Sequence, residues 1–276
     1  MSISADTGSS PVFPGAVGLS GLEVYPWPTA DGEHGGSPHL HLTCTEGYVV
    51  VGGRGRLETL GHNGHAVTEL RPGDVVWFTP GTVHRAVNDG DLRVIVVMQN
   101  SGLPEAGDAV MTFPPEFLTP ERYAQAASVL DENGRPSPER ARARRDLAVQ
   151  GFGALVRQWE SGDRQAFADF CSAAADLVAP RLADWTRTVA DGARAAADES
   201  LRQIDALSRG DLSHLSQSTV SRIQRPPDRN FGMCGLLHTY DGVRRSGNGV
   251  IRVAGPGPST PDHQPAPASD KDDMPC

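Results

Sequence analysis

The chain has 276 residues, a formal net charge of −9 and a pI near 5.4. This length suits one or two domains with a buried core, and the acidic balance argues against a general nucleic-acid-binding surface. No run of about 18 apolar residues occurs, so we expect no membrane span. The four cysteines form no Cys-x-x-Cys pair, which is typical of reduced thiols, and we expect a cytoplasmic protein.

The first hundred residues predict a small β-structure after a short tail. Residues 1–16 are expected to be a disordered N-terminal tail, because their start is rich in Ser and Gly and lacks the features of a signal peptide. Residues 17–100 should then form a barrel that begins with a strand at Val17–Tyr25. Further strands follow at short intervals, over His39–Thr43, Gly47–Gly52, Gly55–Leu60, Ala66–Leu70, Val75–Phe78, His84–Val87 and Leu92–Gln99. Many short strands with regular turns are typical of a β-sandwich or β-barrel.

Three histidines and a glutamate in this part are spaced to suit one metal ion. His39 and His41 alternate along one strand, so their imidazoles point to the same face. A turn after His41 would let Glu46 open the neighbouring antiparallel strand, and His84 follows a Pro-Gly turn. Three neutral imidazoles and one carboxylate make a site for a divalent transition metal, with positions left open for water, dioxygen or substrate.

Strand alternation from these ligands also gives candidates for a substrate pocket. If Glu46 points inward, Tyr48 does so too, whereas only one of the adjacent Trp77 and Phe78 can line a cavity. We take Tyr48 and Trp77 as pocket candidates, with plain core packing as the alternative for both. Cys44 should face away from the histidine pair and is left out of the ligand set.

The other histidines of this part are expected to be solvated. His62 and His65 flank Asn63-Gly64, a dipeptide that signals a hairpin turn between two strands. His34 lies in a Gly-rich stretch before the histidine strand and is interpreted in the same way.

At the ligand positions the sequence resembles the cupin superfamily. The first family motif, His-x-His-x4-Glu-x6-Gly, matches His39, His41, Glu46 and Gly53. The second motif, Gly-x10-His-x3-Asn, matches Gly73, His84 and Asn88. The resemblance covers about Leu19 to Gln99. It implies an all-β cupin barrel, a double-stranded β-helix, with one metal held by His39, His41, Glu46 and His84.

The resemblance leaves the reaction open, because cupins with this ligand set include dioxygenases, sugar isomerases, epimerases, decarboxylases and proteins that only bind small molecules. We expect a dioxygenase-like, oxygen-using oxidoreductase acting on a small organic substrate. Fe is favoured for function over Mn, Ni, Zn or Cu, and Glu46 is the candidate catalytic base. The alternatives are a metal-dependent sugar isomerase or epimerase and a non-catalytic small-molecule-binding cupin. The mostly apolar strands around the ligands favour the oxidoreductase.

The chain after the barrel predicts an α-helical region. Residues 101–118, rich in Gly, Pro and acidic residues, are interpreted as a linker or a segment lying over the barrel. Helix-start signals at Thr119-Pro120 and Ser137-Pro138 then predict helices over 119–212, the second running to about Trp159. Its Arg-rich opening is interpreted as a solvated face, with an anion-binding face as the alternative. These arginines are Arg140, Arg142, Arg144 and Arg145.

The last part of the helical region carries an apolar stripe. Apolar residues at spacings of three and four from Phe167 to Leu207 predict an amphipathic helix, kinked near Pro180. The stripe must pack on other helices, on the barrel or on a second subunit, and its Ala content favours a homodimer. Residues 213–254 are expected to be an extension in which Cys234–Tyr240 returns to the barrel. Residues 255–276, rich in Pro, Ser and Asp, should be a disordered tail.

Overall fold

The structure of the chain is a computed structural model that describes residues 13–240, 244–246 and 249–251. Of the two expected tails, residues 1–12 and all of residues 255–276 lie outside the described residues. The chain divides into two compact units, Met1–Gly242 and Val243–Cys276. All the features discussed below belong to the first unit, except for one two-stranded hairpin in the second.

Nine strands of the first unit form one antiparallel sheet. In chain order they are β1 (Gly18–Val24), β2 (His39–His41), β3 (Glu46–Gly61), β4 (Gly64–Leu70), β5 (Val75–Phe78), β6 (Val83–Met98), β7 (Ala109–Met111), β8 (Asn230–Phe231) and β9 (Gly235–Thr239). The order along the sheet is β4-β3-β6-β1-β9-β8, with β5 paired to β3, and with β2 paired to both β6 and β7. The sheet therefore combines strands from the beginning and the end of this unit. The hairpin of the second unit pairs β10 (Arg244–Ser246) with β11 (Gly249–Ile251).

Strands β3 and β6 are each one continuous strand of 16 residues, where two shorter strands separated by a break were expected. The glycine-rich stretch of β3 and the Asn-Asp-Gly-Asp stretch of β6 pair with one another through a series of register shifts. Gly53 has φ +69°, and a Cβ there would lie 2.1 Å from the carbonyl oxygen of Asp91. Asn88 stabilises the same irregular stretch of the β3–β6 pairing. Its side chain donates to Val24 O and accepts from the backbone N–H groups of Gly90 and Leu92. Turn-forming residues here produce a β-bulge instead of a chain reversal.

Each long strand continues through the bulge and pairs with other strands on both sides of it. Before it, β3 pairs with β5, and after it β3 pairs with β4, while β6 follows β3 along both stretches. Before the bulge, alternate side chains of β3 are buried, as the period of two requires, and these include Tyr48 and Val50. After the bulge, Leu57 and Leu60 are buried in the same core. The predicted β-barrel with a following α-helical region is confirmed.

Residues 101–118, interpreted above as a linker or a segment lying over the barrel, contain a helical turn and a strand of the sheet. Pro104–Asp108 make one π-helical turn, and β7 follows it directly as a strand that pairs with β2 over His39–His41. The pairing satisfies the backbone groups of β2 on the side away from β6. At the far end of the chain, β9 pairs with β1, so the segment around Cys234–Tyr240 returns to the sheet.

The described residues form five α-helices after the barrel, and the first two begin where the capping signals predict. They are α1 (Pro120–Ala127), α2 (Pro138–Glu160), α3 (Gln165–Val178), α4 (Leu182–Val189) and α5 (Ala195–Ser208). The Ser137 hydroxyl caps α2 by accepting from Arg140 N at 3.2 Å. A 3₁₀ turn, Ala179–Arg181, separates α3 from α4 at the predicted kink, and a π-helical turn, Ala190–Arg194, joins α4 to α5. No helix among the described residues combines the length and apolar character needed to cross a membrane.

The apolar stripe of the helical region is buried in its first part and exposed in its last part. Its first part joins the same buried core as the barrel, through Phe170, Ala174, Val178 and Trp185. Its last part is exposed, because Leu201 and Ile204 on α5 keep 63% and 62% of their surface open to solvent. The first part of the stripe is therefore an internal packing surface. The homodimer stays a prediction, and the exposed part of the stripe on α5 is the part left for its interface.

The arginines at the start of α2 do not share one solvated face. Arg140 and Arg142 are exposed, whereas Arg144 and Arg145 are buried on the side that faces the barrel. Arg145 donates to the carbonyl oxygens of Trp27 and Pro28, at 3.0 and 2.8 Å, and so ties α2 to the segment after β1. The expectation of a solvated face is wrong for this pair, because their positions place them on the inner side of the helix.

Candidate metal centre

The three histidines come together because β2 lies beside the start of β6. His39 and His84 are paired across these two antiparallel strands, and His41 is two residues further along β2. The ring centroids lie 4.1 Å apart for His39 and His84 and 5.6 Å apart for His41 and His84. All three rings are buried. The alternation on which the sequence prediction rested is therefore present in the fold.

Glu46 completes the group from the first position of β3. This strand is the next one along the chain, but it pairs with β5 and β6 and not with β2, so it is not the expected hydrogen-bonded neighbour of β2. The Glu46 Oε2 atom lies 3.0 Å from His41 Nε2 and 3.1 Å from His84 Nε2. One potential ligand atom from each of the four residues lies within 4.8 Å of the other three. The structure thus assembles the four predicted ligands.

Each imidazole is oriented by a hydrogen bond from its other nitrogen. His39 Nδ1–H donates to Ser37 O at 2.9 Å, and His84 Nδ1 lies 3.3 Å from Thr82 O. His41 Nδ1–H donates to the Asp108 carboxylate at 2.9 Å. In the neutral form of each ring these contacts place the proton on Nδ1, so that form presents the Nε2 lone pair to the centre of the group.

Asp108 is the functional residue that the sequence did not reveal. It ends the π-helical turn before β7, is fully buried, and lies 67 residues from His41 along the chain. Besides the His41 ring, it accepts hydrogen bonds from the Thr43 backbone N–H and hydroxyl and from the Cys44 N–H. Burial alone would raise its pKa, but these donors lower the pKa of Asp108 to about 2, so the group is a carboxylate. No spacing rule connects Asp108 to the histidine strand.

Two buried polar atoms face each other at the centre of the group. Neither Glu46 Oε2 nor His84 Nε2 has a hydrogen-bond partner, although both atoms are buried. A carboxylate oxygen and an imidazole lone pair, 3.1 Å apart, are two acceptors that repel unless a proton or a metal cation lies between them. Buried polar atoms without partners are costly, and a metal ion would satisfy both. Three nitrogens and one oxygen are donors that divalent transition metals accept. The four residues therefore fit a metal ion.

The electrostatics of the group follow from burial and from the two carboxylates. Burial and the neighbouring rings of His84 and His41 hold the pKa of His39 well below its ordinary value. Burial would also lower the pKa of His41, but the nearby carboxylates of Asp108 and Glu46 outweigh this and raise the pKa to about 9. For Glu46, the adjacent His84 and His41 overcome the effect of burial and keep its pKa well below the usual range. Negative charge therefore lies beside two of the imidazoles. His41 is next to the carboxylates of Asp108 and Glu46, and His84 is next to that of Glu46.

A cavity of about 360 Å³ opens onto the metal-binding group. It is bounded by β1, β6, the turn before β7, the β8–β9 segment and one residue of α2. Much of its wall is apolar, including Leu22, Val96, Met98, Phe231 and Leu237. The charged residues on its wall, apart from the metal-binding group, are Glu105 and Arg144. A small organic molecule would fit in this space, which is near the lower end of ordinary ligand pockets (about 300–1,000 Å³).

The two predicted pocket residues have different positions. Tyr48 is fully buried beside the metal-binding group, where its hydroxyl donates to Cys234 Sγ at 3.7 Å. Trp77 is 71% exposed, and the prediction that it lines the pocket is wrong. Its neighbour Phe78 points inward instead, with its ring 4.0 Å from that of His84. Strand alternation allowed only one of the pair inside, and the register of β5 against β3 selects Phe78.

The remaining predicted exclusions agree with the structure. His34, His62 and His65 are exposed, and the last two flank the β3–β4 hairpin. Cys44 is buried, and its backbone N–H bonds to Asp108, while its thiol is not part of the metal-binding group.

Comparison with known proteins identifies the family of the barrel. The family model described as the cupin domain matches residues 29–98. No curated protein sequence matches this chain. A solved protein with a double-stranded β-helix domain from Klebsiella pneumoniae shares 24% identity over 30% of this chain and 64% of its own, with a TM-score of 0.23.

Two further solved structures show similar figures. A predicted oxalate decarboxylase from Thermotoga maritima shares 21% identity over 29% of this chain and 63% of its own, with a TM-score of 0.24. The capsular polysaccharide assembling protein CapF from Staphylococcus aureus shares 22% identity over 36% of this chain and 24% of its own, with a TM-score of 0.23. This chain spans less than two thirds of each of the three structures. The family match and the arrangement of His39, His41, Glu46 and His84 together show that residues 29–98 form a cupin domain.

Proposed function

We propose that this protein binds one divalent transition metal through His39, His41, Glu46 and His84 and uses it to oxidise a small organic substrate with dioxygen. The observation that carries the metal site is the pair of buried polar atoms, Glu46 Oε2 and His84 Nε2, which lie 3.1 Å apart and have no hydrogen-bond partner. The proposed working metal is Fe, because three nitrogen donors and one carboxylate suit a reduced iron that keeps open positions.

The side chains around the site define what the protein contributes. When bound, the metal would supply a redox-active Lewis acid with positions open to substrate and dioxygen. Ser37 O, Thr82 O and the Asp108 carboxylate hold the three rings in place, so the ligands need little rearrangement to bind it. The Glu46 carboxylate is kept ionised by its neighbours, so it can ligate the metal or accept a proton from substrate.

The apolar wall of the cavity supports oxidation over sugar isomerisation. A polyhydroxy substrate would leave several hydroxyl groups facing Leu22, Val96 and Met98, which offer no hydrogen bonds. A partly apolar substrate gains from the same surface. The wall also limits access of water to the metal-binding group, which strengthens the electrostatic interactions there.

The metal site is tested by elemental analysis of purified protein. Wild-type protein should carry close to one transition metal per chain, and His41→Ala and His84→Ala should lose most of it. His62→Ala is the matched control, because this exposed histidine lies outside the metal-binding group. Full metal occupancy in both ligand variants would refute the site.

The reaction class is tested with anaerobic protein loaded with Fe(II). An oxygen-using enzyme should bind nitric oxide, with a new visible absorption, and should consume oxygen when given a suitable organic substrate. An isomerase would instead exchange a carbon-bound proton of a sugar with deuterated solvent in the absence of oxygen. Proton exchange without oxygen uptake would refute the oxidoreductase and support the isomerase. If neither oxygen uptake nor proton exchange is observed, the remaining function is that of a binding protein.

A further inference from the structure

Arg144 joins the helical region to the metal-site cavity. It lies in α2, keeps only 7% of its surface exposed, and forms part of the same cavity wall as His39, His41 and Glu46. Among the described residues on that wall, Arg144 is the one arginine or lysine. A permanent positive charge therefore lies at a largely apolar cavity that ends at the metal-binding group.

The charge of Arg144 has no ion-pair partner among the described residues. Its guanidinium donates one hydrogen bond, from Nη2 to the Gly232 carbonyl oxygen, and its buried Nε has no partner. The two other buried arginines of the described chain differ in this respect. Arg85 is paired with Asp31, and Arg145 with Asp146. A buried charge without a counter-ion is costly, so an anion that enters the cavity would be stabilised there.

We propose that Arg144 binds the carboxylate of a small organic acid that is the substrate of the metal site. This inference rests on the proposed metal site and gives its substrate a chemical class. The substrate carboxylate would pair with the guanidinium fork while the rest of the molecule lies against the apolar wall and reaches the metal-binding group. Arg144 is thus a substrate-binding and specificity-determining residue.

The surroundings favour a carboxylate over a phosphate. A carboxylate matches the planar guanidinium with two parallel hydrogen bonds, whereas a phosphate usually collects several cationic or backbone donors. The cavity wall offers one guanidinium. The negative charge of Glu46 would be neutralised by the metal, and Glu105 is an exposed residue at the edge of the same wall. Neither Glu46 nor Glu105 forms an ion pair with Arg144 in the described chain, so the guanidinium is left to bind an anion.

The test compares two ligands of the same shape on the full chain loaded with Co(II), whose visible spectrum reports on ligands near the metal. The ligands are benzoate and benzamide, which differ in charge but hardly in size. Wild-type protein should bind benzoate more tightly than benzamide. Arg144→Gln should weaken benzoate binding about tenfold to a hundredfold, the range expected for one charge-assisted hydrogen bond, and should leave benzamide binding unchanged.

Two further variants separate charge, geometry and location. Arg144→Lys keeps the charge but loses the planar fork, so its benzoate affinity should lie between those of the wild type and Arg144→Gln. Arg140→Gln is the control for location, because Arg140 lies with Arg144 on a second cavity of about 320 Å³ that contains none of the metal-binding residues. Its benzoate affinity should equal that of the wild type.

The outcomes distinguish this inference from the proposed function. Equal benzoate affinity in the wild type, Arg144→Gln and Arg144→Lys would overturn the inference, as would a loss caused by Arg140→Gln. A parallel loss of benzoate binding, benzamide binding and Co(II) content in Arg144→Gln would show a structural role and would also overturn it. Binding of benzoate through Arg144, in an Fe(II) protein that neither binds nitric oxide nor takes up oxygen with any organic acid supplied, would support the inference while refuting the oxidoreductase. If Arg144→Gln does not fold, unchanged affinity in Arg144→Lys is the refuting result.

Discussion

Asp108→Asn is the substitution that tests how the metal-binding rings are held. One oxygen of Asp108 accepts from the Thr43 N–H and hydroxyl, and the other accepts from His41 Nδ1–H and the Cys44 N–H. An amide must place its NH₂ group against one of these two pairs of donors. In either orientation a backbone N–H loses its acceptor. If the NH₂ faces His41, the ring is driven to the tautomer with its proton on Nε2, which removes the lone pair from the centre.

The size of the effect follows from these contacts. Loss of the acceptor for one buried N–H should lower the free energy of unfolding of the metal-free protein by about 1–3 kcal/mol. Loss of an oriented carboxylate behind a ligating histidine typically weakens metal affinity about 10- to 100-fold. This range corresponds to about 1.4–2.8 kcal/mol of binding free energy.

The assay is competition for Co(II) against a chelator of known affinity, with urea unfolding of the metal-free protein measured in parallel. Thr43→Val is the matched control, since it removes the hydroxyl that donates to Asp108 at 2.6 Å but leaves the His41 contact in place. It should cost about 1 kcal/mol of stability and change metal affinity much less. Wild-type Co(II) affinity in Asp108→Asn would show that this carboxylate does not orient His41 for metal binding.

Three further predictions concern stability and assembly. The pKa of Asp31 is about 2, because hydrogen bonds from Arg85 and Thr29 outweigh its partial burial. The stabilisation from this pair is therefore present above about pH 4 and lost as the pH falls towards 2. Asp31→Asn should lower the free energy of unfolding by about 1 kcal/mol at pH 7, with little difference near pH 2, and an equal deficit at both pH values in urea unfolding would contradict this. Gly151→Ala should destabilise the protein by about 1–3 kcal/mol, because its Cβ would lie 1.9 Å from Thr112 O, whereas Gly153→Ala, which meets only a flexible arginine end, should not. Thermal unfolding of the two variants compares them directly. The exposed apolar residues of α5 should form a homodimer interface, and a monomer in light scattering of the wild-type protein would exclude it.

Local sequence signals predicted the candidate metal ligands, most of the strand positions and the starts of the first two helices. His39 and His41 share a face because the period of a strand is two, and Ser137-Pro138 begins a helix because the hydroxyl caps it and proline fits its first turn. These features depend on residues a few positions apart, so spacing alone predicts them. The family motifs added His84, which lies on another strand.

Tertiary structure alone decided which distant residues surround these ligands. The bulge merged four expected strands into two, because the turn-forming residues of β3 and β6 pair with one another. The register of β5 placed Phe78, and not Trp77, beside the site. Asp108 contacts His41 from the segment interpreted as a linker or a segment over the barrel. Arg144 lies on the cavity wall, although its part of α2 was interpreted as a solvated face. The contact between Asp108 and His41 spans 67 residues, and a single long-range contact of this kind leaves no periodic pattern in the sequence.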